Sequence, residues 1–217
     1  AVIQADYYIR SGDAKKILVV GADVLSRVSD PHDRDSMIYA DGAGAAIMEG
    51  VESEVPVGIL GHNSRSDALE YVNMLRMGYS YNPELAETKN FYLKMNGRRL
   101  YQYALEYVPQ AIKAGLDKLH LHVNDVHKVL IHQANGKMDD AILKRLFKLY
   151  GMKEVKETIM PMTISWLGNS SVATVPTLLD IITRNGMEGH SIGSGDNVVL
   201  ASVGAGMSIN SIIYKVP

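Results

Sequence analysis

A histidine, a carboxamide and a glycine-rich turn are the residues of this chain with the clearest capacity for chemistry. His132 follows directly on the apolar run Val129-Leu130-Ile131 and leads into Gln133-Ala134-Asn135. A strand that ends on an imidazole presents it at its carboxyl end, where α/β folds place ligands. Asn169 lies in a second junction, Gly168-Asn169-Ser170-Ser171, where glycine lets the backbone approach a ligand closely. A neutral imidazole and an amide both donate hydrogen bonds. Brought to one oxygen, they stabilise the charge of a developing thioester enolate without adding a proton to carbon. Neither residue is decisive alone. A histidine at a strand end is more often a satisfied structural group, and an asparagine beside glycine is usually a cap or turn residue. The polar Gln133 and Asn135, where a buried segment would stay apolar, favour a site. The chain has no cysteine, so the thiol that would complete a nucleophilic constellation is absent from it.

Other candidates carry less. Gly42-Ala43-Gly44 resembles a dinucleotide loop only superficially, because no helix with a third glycine follows. His120, His122 and His127 lack a cysteine or carboxylate partner at metal-ligand spacing, so no metal or other cofactor is expected. Arg27 and Arg34 flank Ser29-Asp30-Pro31 and suit either a CoA phosphate or a plain surface loop. Lys137, Lys144 and Lys148 share one face of the helix expected after His132, with Arg145 beside them. That pattern fits a solvated helix face or a docking patch for an acidic protein.

The elements that must position these residues read as alternating strands and helices. Residues 16–21 form a short apolar run closed by glycine, as expected of a strand buried on both faces. Further strands are expected at 41–50, 57–60, 198–203 and 208–216, the last two as an antiparallel pair around Gly204-Ala205-Gly206. Apolar residues at helical spacing predict helices at 97–119, which Pro109 should bend or interrupt, and from Met138 to the stop at Tyr150-Gly151. Residues 157–164 read as an interrupted strand, and a helix should run from Ser170-Ser171 to Asn185-Gly186 with Pro176 in its first turn. The polar stretch 67–91 has no clean period and reads as a long loop of the kind that often carries function. Ala1, Ala5 and Ile9 repeat at helical spacing up to Ser11-Gly12, which places Ala1 inside a helix and suggests an upstream part that is missing.

Composition bounds the function. With 47% hydrophobic and 21% charged residues in 217, the chain is an ordinary globular protein. A net charge of −2 argues against nucleic acid as the main partner. No apolar run approaches the roughly 20 residues of a membrane span, and no signal peptide is visible, so a cytoplasmic location is expected. An internal echo is also present. Asp6, Arg10 and Gly12 recur in type and offset as Asp180, Arg184 and Gly186, each set followed by a strand, a glycine turn and a strand. That order points to a duplicated α/β unit.

The two junctions, Val129-Leu130-Ile131-His132-Gln133-Ala134-Asn135 and Gly168-Asn169-Ser170-Ser171-Val172-Ala173-Thr174-Val175-Pro176, resemble the C-terminal signatures of 3-oxoacyl-(acyl-carrier-protein) synthase III. Val19-Val20-Gly21-Ala22-Asp23, Asp41-Gly42-Ala43-Gly44-Ala45-Ala46 and Gly204-Ala205-Gly206 extend the resemblance along the chain. It implies a thiolase-like α/β fold, layered α/β/α/β/α with duplicated halves. Residues 1–50 would then end the N-terminal half, and residues 51–217 would form the C-terminal half.

The family's reaction loads an acyl group from acyl-CoA onto a cysteine at a helix N-terminus. Malonyl-carrier protein then loses CO₂, and its enolate attacks the acyl-cysteine. His132 and Asn169 match the residues that hold the malonyl thioester oxygen. Gly204, Ala205 and Gly206 match the oxyanion loop, and Lys137, Lys144 and Arg145 the carrier-docking positions, which Lys148 extends. The cysteine would lie upstream of Ala1, so this chain alone should not catalyse condensation. A homodimer and an acyl carrier protein are the expected partners. The rival reading is a non-catalytic thiolase-fold subunit that binds a carrier protein. Two departures suggest a divergent acyl donor or pathway. Val203-Gly204-Ala205-Gly206 replaces a phenylalanine and three glycines, and Gly136-Lys137 replaces Leu-Arg.

Overall fold

The computed structural model describes residues 1–88 and 90–217. Helix α1 (Val2–Ser11) stops at Gly12, whose left-handed φ of 84° ends the helix. Strands β1 (Lys16–Val24) and β2 (Asp41–Glu49) form an antiparallel ribbon in which Lys16 faces Glu49 and Val24 faces Asp41. β3 (Gly58–Ser66), a single helical turn α2 (Ala68–Tyr71) and the paired β4 (Leu75–Gly78) and β5 (Tyr92–Met95) follow. Then come α3 (Gly97–Lys118), β6 (Val126–Ile131), α4 (Gly136–Leu149), the one-turn α5 (Ile164–Leu167), α6 (Thr174–Thr183), β7 (Asn197–Gly204) and β8 (Ser208–Lys215). The main sheet has the order β3-β8-β7-β6, and within it only β6 and β7 run parallel.

Strand β6 explains why its sequence is apolar without a break. Its alternate side chains leave on opposite faces, and both faces are covered. Val129 and Ile131 pack into the core that α3 and α4 build with Ile112, Leu116, Leu146 and Phe147. Leu130 points the other way, into a cluster with Leu178 and Ile182 of α6. On that second face α1 lies beside the sheet too: Tyr7 Oη is 2.8 Å from His62 Nε2, and Arg10 donates to the Ile59 carbonyl at 2.6 Å. The order of layers is therefore β1–β2 ribbon, α1 with α6, four-stranded sheet, α3 with α4.

The internal echo has a physical counterpart. Arg10 pairs with Asp6 at 2.8 Å on α1, and Arg184 pairs with Asp180 at 2.7 Å on α6. Each helix is followed by an antiparallel strand pair, β1–β2 and β7–β8.

Several expectations need correction. β1 is covered on one face only. Leu18, Val20 and Val24, with Ile47 of β2, remain exposed because no described element packs over them. Stretch 67–91 is not one long loop but carries α2, β4 and further short turns. Its backbone is tied down at Asp30, which accepts from Ser80 Oγ and Tyr81 N–H and pairs with buried Lys94 at 2.5 Å. Burial pushes the Asp30 carboxyl up, but the hydrogen bonds from Lys94, His32, Tyr81 and Ser80 outweigh it and hold the pKa well below the usual range. Helix α3 continues through the buried Pro109. Residues 157–164 form no strand, although the Ile159 carbonyl does accept from the Val129 N–H at the sheet edge. The helix expected from Ser170 begins only at Thr174, after a tight turn at Ser171–Ala173, and Pro176 falls in its first turn as expected.

Candidate active site

His132 comes one residue after β6 and keeps the sheet's bonding, its N–H donating to the Ala201 carbonyl of β7. The imidazole is partly buried and lines a large cleft of about 1830 Å³ between α1, the β1–β2 ribbon and the main sheet. Its Nδ1 lies 2.8 Å from Thr174 Oγ1, which leaves Nε2 turned to other partners. Burial lowers its pKa to about 4, partly opposed by the Ser171 carbonyl, so the ring is neutral at physiological pH.

Asn169 is held on all sides. Its N–H donates to the Ile38 carbonyl at 2.8 Å, and its carbonyl accepts from the Ala40 N–H at 2.9 Å. Its Oδ1 accepts from the Ser171 N–H at 2.9 Å. With the amide oxygen committed, Nδ2 is the polar end of the side chain left to donate. Gly168 must be glycine here: its φ is 69°, and a Cβ would sit 3.0 Å from Ala40 Cβ and 3.2 Å from the Ile38 carbonyl. Gly42 matters for the same junction, since a Cβ there would lie 2.7 Å from Ser170 Cβ. The Gly42-Ala43-Gly44 run is thus the floor on which the Asn169 turn rests.

His132 and Asn169 line the same cleft, and Gly204 and Ala205 line it too. In the turn after β7 the left-handed step falls on Gly206 (φ 73°) and Met207 (φ 47°), so Ala205 carries its methyl without backbone strain. The turn is anchored from below. The Met207 carbonyl accepts from the Asp67 N–H and lies 2.9 Å from the Tyr103 hydroxyl, which is itself 2.6 Å from Asp67 Oδ2. Burial and then the Asp67 charge raise the Tyr103 pKa, so the phenol stays protonated and donates. Tyr103→Phe should cost about 1–2 kcal/mol in a denaturant titration. An unchanged midpoint would show that this anchor contributes nothing.

The polar neighbours that drew attention to His132 have different duties. Asn135 caps α4, its Oδ1 accepting from the Lys137 and Met138 N–H groups. Gln133 is fully buried and binds the N–H groups of Thr163 and Ile164 through Oε1 and the Ile131 carbonyl through Nε2. It ties the His132 turn to the segment that leads into Asn169. Lys137, Lys144, Arg145 and Lys148 are all exposed on α4, and none forms an ion pair among the described residues. Arg27 and Arg34 are exposed as well. Sequence reasoning missed the Asp30–Lys94 pair and the Asp67–Tyr103 anchor, whose partners are far apart in the chain and carry no local motif.

Comparison with known proteins bears directly on this site. Residues 1–68 match the model of 3-oxoacyl-[acyl-carrier-protein] synthase III, and residues 116–216 match the model of that family's C-terminal part. The chain belongs to the 3-oxoacyl-[acyl-carrier-protein] synthase III family. Beta-ketoacyl-[acyl-carrier-protein] synthase III of Gloeobacter violaceus is 34% identical over 99% of this chain and 63% of its own length. The Microcystis aeruginosa protein of the same name is 32% identical over 99% of this chain and 62% of its length. The chain therefore spans a little over three fifths of these relatives. Among solved structures, the synthase III of Thermus thermophilus superposes with a TM-score of 0.84 at 27% identity, over 100% of this chain and 64% of its own. A priming beta-ketosynthase from the R1128 polyketide biosynthetic pathway gives 0.83 at 28% identity, over 100% and 61%. The synthase III likeness makes the fold thiolase-like. Among the described residues no helix is long and apolar enough to cross a membrane.

Proposed function

We propose that this synthase III chain supplies the malonyl half of a decarboxylative Claisen condensation. The observation that carries the reading is the pairing of a neutral imidazole and a carboxamide on one cleft. Asn169 keeps only Nδ2 for a ligand, and His132 is held uncharged with Nδ1 already occupied. When the malonyl thioester loses CO₂, the electron pair of the broken C–C bond moves onto the thioester oxygen as an enolate. The two donors stabilise that oxygen without protonating the carbon. The enolate carbon then attacks the acyl thioester on a cysteine, forming the new C–C bond and releasing the thiolate. No cysteine is present among these 217 residues, and in this reading that nucleophile is supplied by other polypeptide. The open apolar face of β1–β2 and the width of the cleft are consistent with further polypeptide packing there. In this reading residues 1–50 end one thiolase-like half, residues 51–217 form the other, and the working enzyme is a homodimer using acyl-CoA and malonyl-carrier protein.

The test is to incubate the cysteine-bearing enzyme with acyl-CoA and malonyl-carrier protein and to follow CO₂ and 3-oxoacyl product together. Stoichiometric release of both is expected. Carrier binding with neither product would instead identify a non-catalytic carrier-binding subunit.

The exposed cations of α4 are consistent with docking of an acidic carrier protein. In a Lys137→Glu, Lys144→Glu variant the KM for malonyl-carrier protein should rise about tenfold while acyl-CoA turnover holds, because exposed charges mainly steer and orient a partner. The effect should shrink with salt, as screening acts over about 8–10 Å at physiological ionic strength. An unchanged carrier KM at low salt would return this face to plain solvation.

A further inference from the structure

We infer that the Thr174 hydroxyl selects the tautomer of His132, and so decides whether the cleft meets an N–H donor or a lone pair. The inference rests on the role proposed for His132 above. Thr174 is the first residue of α6 and is almost fully buried. Its Oγ1 lies 2.8 Å from His132 Nδ1 and 3.0 Å from the Ser171 carbonyl. A hydroxyl has one proton, so it points to only one of them at a time.

The two settings have opposite consequences for the cleft. With the hydroxyl turned to Ser171, Nδ1 must carry the imidazole proton and donate to Oγ1, and Nε2 offers a lone pair. With the hydroxyl turned to Nδ1, the proton sits on Nε2, which becomes a donor. The second setting leaves no orphan, because the Ser171 carbonyl already accepts from the Thr174 backbone N–H. A substrate oxygen favours the second setting, which the Thr174 hydroxyl makes available by donating to Nδ1. A thioester oxygen, and still more an enolate, only accepts, so a facing lone pair repels it and a facing N–H holds it. Asn169 supplies a donor of its own through Nδ2, its Oδ1 being engaged by the Ser171 N–H, and the second donor has to come from His132. Thr174 is therefore a positioning residue acting through His132. The turn from Asn169 to Thr174 orients both donors at once, the amide through the Ser171 N–H and the imidazole through the Thr174 hydroxyl.

Removing the hydroxyl while keeping the shape makes the prediction specific. In Thr174→Val the acceptor left beside Nδ1 is the Ser171 carbonyl, which bears on the ring already. The proton should move to Nδ1, and Nε2 should turn its lone pair to the substrate. Malonyl-carrier decarboxylation by the complete enzyme should fall about 10–100-fold, with acyl transfer to the cysteine unchanged. Thr174→Ser should restore decarboxylation to within about threefold, since it returns the hydroxyl. Nitrogen-15 NMR of the imidazole, with an amide-linked malonyl-pantetheine analogue bound, reads the tautomer independently of rate. The expected result is an Nε2 proton in the parent and Thr174→Ser enzymes and an Nδ1 proton in Thr174→Val. An Nε2 proton retained in Thr174→Val would overturn the inference whatever the rate. A proton moved to Nδ1 with decarboxylation intact would confirm tautomer selection and overturn the donor role proposed for His132.

Discussion

On the proposed function, Asn169→Ala and His132→Ala in the cysteine-bearing enzyme should each slow malonyl decarboxylation by about 10²–10³-fold while leaving acyl transfer to the cysteine nearly unchanged. Losing one donor to a developing oxyanion typically costs on that order. The asymmetry follows from when the charge appears. The enolate forms only in the malonyl step, so interactions made with it are missing from the acyl-transfer transition state. Asn169 is the cleaner probe, because its amide oxygen is already committed to the Ser171 N–H. Asn169→Asp would test the same point differently: the carboxylate can still accept from Ser171 but faces the enolate with negative charge, and should be at least as damaging as alanine. Separate assays of acyl-enzyme formation and of CO₂ release decide the matter. Equal loss of both half-reactions would contradict the assigned roles.

Replacing Asp139 should make the protein more stable above neutral pH. This carboxyl lies in the first turn of α4, fully buried, and among the described residues neither oxygen has a partner in full hydrogen-bond geometry, the Asn135 and Ala134 backbone reaching it only weakly. Burial is the main reason its pKa is pushed up to about 7; the Asn135 and Ala134 backbone partly opposes it, and the charge of Asp140 adds a smaller rise. A carboxyl whose folded pKa is raised stabilises the fold when protonated, below its unfolded pKa. That stability is lost as pH rises through the folded value. At about 1.4 kcal/mol per pKa unit, the stability of Asp139→Asn relative to the parent should rise by on the order of 2–3 kcal/mol between pH 5 and pH 8. Asp139→Leu should show the same slope, because it too removes the buried ionisation. Denaturant unfolding of parent and variants across that range measures the difference directly, and titrations common to all of them cancel. Parallel stability curves would mean that Asp139 ionises without cost. The position lies next to the exposed Lys137 and Lys144 on α4, where carrier docking is proposed, so carrier KM is a useful control for local disruption.

Much of this protein was legible without coordinates, and the reasons are local. Val129-Leu130-Ile131 reads as a doubly buried strand because β6 is covered on both faces, and His132 follows where the strand delivers it. Gly168 and Gly12 stand where a left-handed backbone is needed. The Asp–Arg spacing that marks the echo survives as two i,i+4 ion pairs of nearly equal length. The resemblance of the two junctions to synthase III signatures led to the same family that the comparisons identify.

Tertiary structure alone decided how each polar residue is used. Gln133, Asn135 and His132 are neighbours in the chain, yet one bridges two loops, one caps a helix and one faces the cleft. Sequence cannot separate those fates, because each depends on which backbone groups a distant segment brings within about 3 Å. The same holds for Asp30, made an internal ion by Lys94 of β5, and for Asp139, left poorly satisfied among the described residues by the packing around α4. Periodicity records which side of an element is buried. The partner a buried polar atom meets is set by chain segments folded against it from far away, and that pairing determines its charge and its proton.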